Sequence, residues 1–162
     1  MNLKKNWKST ERELMSKKEI YLAGTIGYYV VNNRSEKAQS WRKQVELLNE
    51  SHSEFSIINP ISYYKYNDGY QKTEKEIMRF YLNRLRKCSA VLVNLNDLDK
   101  SIGTSDEILF AYLHSIPVIG FVDNNEEYRK LHPWKIEQID RIEVGEDALK
   151  RALEYIYLFY GE

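Results

Sequence analysis

Apolar and polar positions follow two periods that take turns along this chain. Residues 20–26 (IYLAGTI) form a short, mostly apolar run ending in small residues, the pattern of a strand buried on both faces that feeds a close turn. Residues 35–51 place Trp41, Val45 and Leu48 at i, i+4, i+7 with charges between, which predicts an amphipathic helix capped by Ser35. Residues 55–59 read as a second strand, stopped by Pro60. A second helix is expected over 72–87, with Met78, Tyr81, Leu82 and Leu85 on one face, and a third strand over 90–95. A third helix is expected over 104–115, with Ile108, Ala111 and Tyr112 inward, and a fourth strand over 117–122 (PVIGFV). A helical turn over 133–140, a short strand over 141–144 and a closing helix over 147–160 complete the series; the last carries Leu149, Ala152, Leu153, Ile156 and Tyr160 on one stripe. Strands alternating with helices in this way argue for a single-domain α/β fold, an open parallel sheet of about five strands with helices on both faces.

Composition narrows the partners. The 162 residues suffice for one domain, with 1–18 a polar N-terminal arm and 19–162 the folded unit. Lys plus Arg and Asp plus Glu are each 24, so the long-range field does not favour a nucleic acid polymer, although a local phosphate site stays open. No apolar run approaches the roughly 20 residues that span a bilayer, and 1–18 lacks the apolar core of a signal peptide, so the expected location is cytoplasmic, away from membranes. The single Cys88 excludes an intramolecular disulfide and reads as a packed thiol. His52, His114 and His132 do not cluster at zinc-ligand spacing, so neither a metal nor a cofactor is expected.

In an open parallel sheet, ligands bind outside the carboxyl ends of the strands, near the point where strand order reverses. Three segments should converge there. The first is the turn Gly24, Thr25, Ile26, Gly27, which permits close backbone approach but matches neither GxGxxG nor a Walker loop. In the loop after the second strand, Tyr63, Tyr64, Tyr66 and Tyr70 could stack on a base or sugar, or pack the loop onto the domain or a second subunit. The third segment carries GTSDEI at 103–108. A carboxylate in the first turn of a helix after a parallel strand could attack an anomeric carbon, which makes Glu107 the candidate reactive group. The competing reading is a helix start, with Thr104 or Ser105 as cap and Asp106 and Glu107 complementing the positive end. His132 could reach a ligand, or sit in a polar turn anchored by a buried Trp134. The crowding of Tyr155, Tyr157, Phe159 and Tyr160 in the final helix suggests a homodimer surface.

IYLAGTIG, LNRLRKCSAVLVNL, GTSDEILFAYLHSIPVIGF and a late HPW segment, in this order, resemble the nucleoside 2-deoxyribosyltransferase family over about residues 20–160. The resemblance implies a flavodoxin-like or Rossmann-like sheet, a homodimer or larger homo-oligomer, and cleavage of the N-glycosidic bond of a nucleoside or nucleotide. It makes Glu107 the nucleophile and Tyr21 the residue that orients it. Substrate contacts would come from Gly24, Thr25, Ile26, Tyr63, Tyr81, Ser101, Gly103 and Thr104. The chain departs from the pattern twice. Tyr81 stands where the family usually has an Asp, and a phenol cannot act as a carboxylate base. Ser101, six residues before the nucleophile, replaces an Asp common in transferases; there it resembles the related deoxynucleoside 5'-monophosphate N-glycosidases, whose Ser touches the phosphate. Asp97 and Asp99 lie close enough in sequence to restore an acidic group. Transferase and hydrolase both remain open, beside a non-catalytic nucleotide-binding module of the same fold and a glycohydrolase acting on an NAD-type dinucleotide.

Overall fold

The computed structural model describes residues 17–63 and 70–161. Five strands, β1 (Lys18–Ala23), β2 (Phe55–Ile58), β3 (Ala90–Asn94), β4 (Val118–Val122) and β5 (Arg141–Val144), form one sheet in the order β2-β1-β3-β4-β5. Every pairing is parallel. The chain leaving β1 turns toward β2 and the chain leaving β3 turns toward β4, so their carboxyl ends part at the reversal point of a flavodoxin-like sheet. In β1 the pleat sends Ile20 and Leu22 to one face and Tyr21 and Ala23 to the other.

Each face is covered by helices whose apolar stripes the sequence announces. On one side lie α2 (Ser35–Asn49), through Trp41 and Val45, and α8 (Ala148–Phe159), through Leu149, Ala152, Leu153 and Ile156. The other side is covered by α4 (Glu74–Arg86), through Leu85, and α5 (Ile102–Leu113), through Ile108 and Ala111. Each such side chain contributes roughly 1.5–3 kcal/mol when fully buried, which is why all five residues of β3 are buried and apolar but for the closing Asn94. Four short helices connect these elements: α1 (Gly27–Val31), α3 (Pro60–Tyr63), α6 (Asn125–Arg129) and α7 (Pro133–Glu137).

Several expectations are corrected. β1 ends at Ala23, not at residue 26, because Gly24 leaves the ladder and gives its carbonyl to Arg42. Lys18, expected in the arm, already pairs with Phe55; residues 1–16 lie outside the described residues. Ser35 is the first helical residue and caps nothing; Arg34 holds the cap position without a side-chain bond. Tyr112 is 54% exposed, since Ile108 and Ala111 already fill the inner stripe of α5. Trp134 anchors no buried turn: it is 76% exposed, while Nδ1 of His132 accepts from its backbone N–H to start α7. Cys88 is a packed thiol, donating weakly to the Arg84 carbonyl, with burial pushing its pKa up to about 12. Among the described residues no helix is long and apolar enough to cross a membrane.

Candidate active site

At the carboxyl end of β1 lies a cavity of about 660 Å³, walled by the 24–28 turn, the inner face of α4 and the start of α5. Its opening has a simple origin: backbones diverge where strand order reverses, and no side chain need fill the gap. Tyr21 enters from the sheet. It is 1% exposed, and its hydroxyl pairs with the carboxyl of Glu107, which descends from α5 and is itself partly buried.

The electrostatics of the pair follow from its surroundings. Burial lifts the Glu107 carboxyl from 4.5 to about 7; hydrogen bonding from Tyr21 and the positive charge of Arg42 oppose that rise, and Asp106 adds slightly to it. The Tyr21 phenol is pushed far above its ordinary value, first by burial and then by the charge and hydrogen bond of Glu107, so it serves as a donor and never as an anion. A carboxylate poised near neutrality and held by a permanent donor can act as a nucleophile or accept a proton. Substituting Tyr21 by Phe removes the donor that lowers the Glu107 pKa. The expected result is a higher Glu107 midpoint and a rate loss of about 10- to 100-fold at neutral pH, read by steady-state assay across pH.

The start of α5 corrects the reading of its motif. The helix begins at Ile102, and Oγ of Ser101 accepts from the backbone N–H of Thr104 at 3.3 Å, with the two hydroxyls 2.7 Å apart. Ser101, not Thr104 or Ser105, is the cap. No acidic residue stands in the first turn, so Glu107 sits too far along to complement the helix end. Its partial burial beside Tyr21 and Arg42 is left without the capping explanation.

Of the other residues singled out from sequence, Gly24, Ile26, Tyr81, Ser101, Gly103 and Thr104 line the cavity with Tyr21 and Glu107. Thr25 does not: it is 2% exposed and donates to the Asp97 carbonyl at 3.1 Å, tying the turn after β1 to the loop after β3. The hydroxyl of Tyr81 donates to the Pro60 carbonyl at 3.1 Å. Tyr63 closes α3, but its ring, like Tyr64 and Tyr66, lies outside the described residues, whereas Tyr70 is 87% exposed. Asp97 and Asp99 restore no acid here. They line a neighbouring groove with His132, and Asp97 accepts from the Tyr29 hydroxyl at 2.5 Å. Among the described residues, the cavity's carboxylates are Glu74, Asp106 and Glu107.

Sequence reasoning missed Arg42. A charge on an amphipathic helix ordinarily reads as solvated surface, yet this one is 1% exposed and lines the cavity. The one available signal was its place directly after the inward Trp41 and three residues before the inward Val45, which turns its stem toward the sheet. The aromatic excess of α8 is partly used within the chain: the Tyr157 hydroxyl donates to Asn49 at 2.8 Å and its ring stacks on His52, while Leu158 and Phe159 stay exposed.

No family model matches this chain, and no curated protein is significantly similar to it in sequence. Solved structures do match. A conserved protein from Enterococcus faecalis V583 superposes with a TM-score of 0.64 at 14% identity, over 86% of this chain and 98% of the other. A 2-deoxyribosyltransferase from Leishmania mexicana superposes with a TM-score of 0.60 at 17% identity, over 88% of this chain and 99% of its own. At these identities the likeness is one of architecture: the chain has a nucleoside 2-deoxyribosyltransferase-like fold, flavodoxin-like and α/β, over nearly its whole length.

Proposed function

We propose that the protein cleaves or transfers the N-glycosidic bond of a 2'-deoxynucleoside or its 5'-monophosphate through a covalent glycosyl-Glu107 intermediate. The observation that carries this reading is the Tyr21–Glu107 pair at the floor of the cavity, a carboxylate tuned to about 7 with no structural duty in helix capping. In the first step an oxygen of Glu107 forms a bond to the anomeric carbon as the C–N bond breaks, and the electron pair leaves with the base, which takes up a proton. In the second, water or another base displaces the carboxylate from that carbon. Each displacement inverts the carbon, so the product retains configuration. Tyr21 holds the attacking oxygen in line and steadies the carboxylate charge before attack and again as the ester is displaced.

The nucleophile must be ionised, and Glu107 is only half so near pH 7. The rate of base release should therefore climb with pH, passing half its plateau near 7 and levelling above it. A rate flat from pH 5 to 9 would contradict the assignment. Chromatographic detection of free base from a panel of deoxynucleosides and their monophosphates, with and without an acceptor base, tests the activity and separates transfer from hydrolysis.

One observation favours a second reading. Tyr81, whose hydroxyl donates to the Pro60 carbonyl, lines the cavity where the resemblance expects an Asp to serve the departing base. This supports a nucleotide-binding module that retains the pocket without turnover. Calorimetric binding of the same panel with no base released would favour it.

A further inference from the structure

Arg42 is the largest fully buried side chain among the described residues, and its surroundings do not account for its charge. Nη1 donates to the Ala38 carbonyl at 2.5 Å within α2, Nη2 donates to the Gly24 carbonyl at 3.1 Å, and the guanidinium lies 4.5 Å from the centre of the Trp41 ring. These partners are neutral. Nε is buried with no hydrogen-bond partner. A cation taken out of water is costly unless an anion compensates it. Among the described residues no carboxylate lies within 4.0 Å of its guanidinium nitrogens, and the one whose negative charge favours its protonated form is Glu107, which lines the same cavity. Arg42 comes from the α2 side of the sheet and Glu107 from the α5 side, and they share the cavity only because β1 has ended between them.

Resting on the reading of Glu107 as the reactive carboxylate, we propose that Arg42 is a positioning residue of this site: a buried cation that locks the Gly24 turn to α2 and fixes Glu107 as its counter-ion across the end of β1. Arginine suits this task. Its fork spans two carbonyls at once, and although burial lowers its pKa to about 10 it stays charged at neutral pH, where a buried lysine would more readily shed its proton. Among the described residues, the titratable groups that line the cavity with Glu107 besides Arg42 are Tyr21 from β1, Tyr28 from α1, Asp106 from α5, Tyr81, Glu74 and Lys75 from α4, and Lys100 from the turn before α5. Of these only Lys75 and Lys100 are cations, and both sit on the cavity's other walls.

The test reads the coupling directly. In protein labelled with 13C at Glu carboxyls and 15N at Arg side chains, the Glu107 signal is identified by its loss in Glu107→Gln, and both it and the Arg42 Nε–H are followed through pH. In the unmodified protein the Arg42 signal should move with the same midpoint as Glu107, near 7. In Arg42→Met the Glu107 midpoint should rise by about one pH unit or more, with Arg42→Lys falling between. The acid limb of kcat/KM should follow it. An Arg42 signal indifferent to the Glu107 midpoint overturns the proposal, and that arm needs no variant at Arg42 to fold. A Glu107 midpoint in folded Arg42→Met that equals the unmodified one does so as well. Base release that survives Glu107→Gln would instead sink the nucleophile assignment while leaving the coupling measurement standing, so the two ideas fail separately.

Discussion

Glu107→Gln is expected to abolish base release and to yield a more stable protein. The rate should fall by at least about 10³-fold, because an amide cannot form or release the glycosyl ester. Stability should move the other way, and its sign follows from protonation. The carboxyl titrates near 7 in the folded protein and near 4.5 when unperturbed, so between these values the folded state binds more protons than the unfolded one. Stability therefore falls as pH rises through that window. Below about 4.5 both states carry a neutral Glu107 and the variant gains nothing; above 7 the gain reaches about 3 kcal/mol. Urea unfolding at pH 4.5 and pH 8, beside the base-release assay, reads both halves. A variant that loses activity and stability together at pH 8 would mark Glu107 as a structural residue. A burial penalty borne by one carboxylate is what a site selected for reactivity at the expense of stability should show.

Gly24→Val should produce a large structural loss in the cavity wall. A Cβ there would stand 2.9 Å from Cζ2 of Trp41 and 3.3 Å from Cβ of Asn94. Neither neighbour can yield cheaply: Trp41 packs edge-on against Phe121 at 5.5 Å and lies under the Arg42 guanidinium, and Asn94 closes β3. Overpacking of this kind costs about 1–3 kcal/mol, and the upper end is expected here. Displacing the turn also removes the carbonyl that anchors Arg42, so activity should fall further than stability alone explains. Gly27→Ala is the control, since nothing lies within 4 Å of a Cβ at that position. If the denaturation midpoints of the two variants coincide, close approach at Gly24 is not what shapes the turn. The contrast assigns the spacing of Gly24 and Gly27, ambiguous as a motif, to a single demanding position.

What could be read from the chain alone follows from how much of each element is periodic. The strands β1, β3 and β4 carry an unbroken apolar run and the four long helices a stripe at helical spacing, whereas β2 (FSII) and β5 (RIEV) break theirs with polar residues; the limits emerge within a few residues. The helices α1, α3 and α6 have five, four and five residues, too few for a stripe to declare itself. Side-chain direction at helix starts was equally hidden. Thr104 and Ser105 look like caps, but the chain turns one residue earlier than Gly103 suggests, and Ser101 takes the role. Glu107 is legible through its place in the helix that follows β3 and through the resemblance, Tyr21 through the resemblance alone. Arg42 is not, because its burial depends on a vacancy at the sheet edge that exists only in three dimensions. Trp134 differs for the converse reason: a large ring suggests a core, yet among the described residues this one stays 76% exposed.

The origin of the reactive carboxylate, its donor and the buried cation in three separate elements has a kinetic consequence. Residues 21, 42 and 107 are far apart in sequence and reach one another only after β1 has paired with β3 and a helix has docked on each face of the sheet. Such non-local contacts form late and slowly in folding. A partly folded chain with one helical layer in place could hold native secondary structure and still lack the site, so regain of activity is a stricter measure of complete folding than regain of helix content.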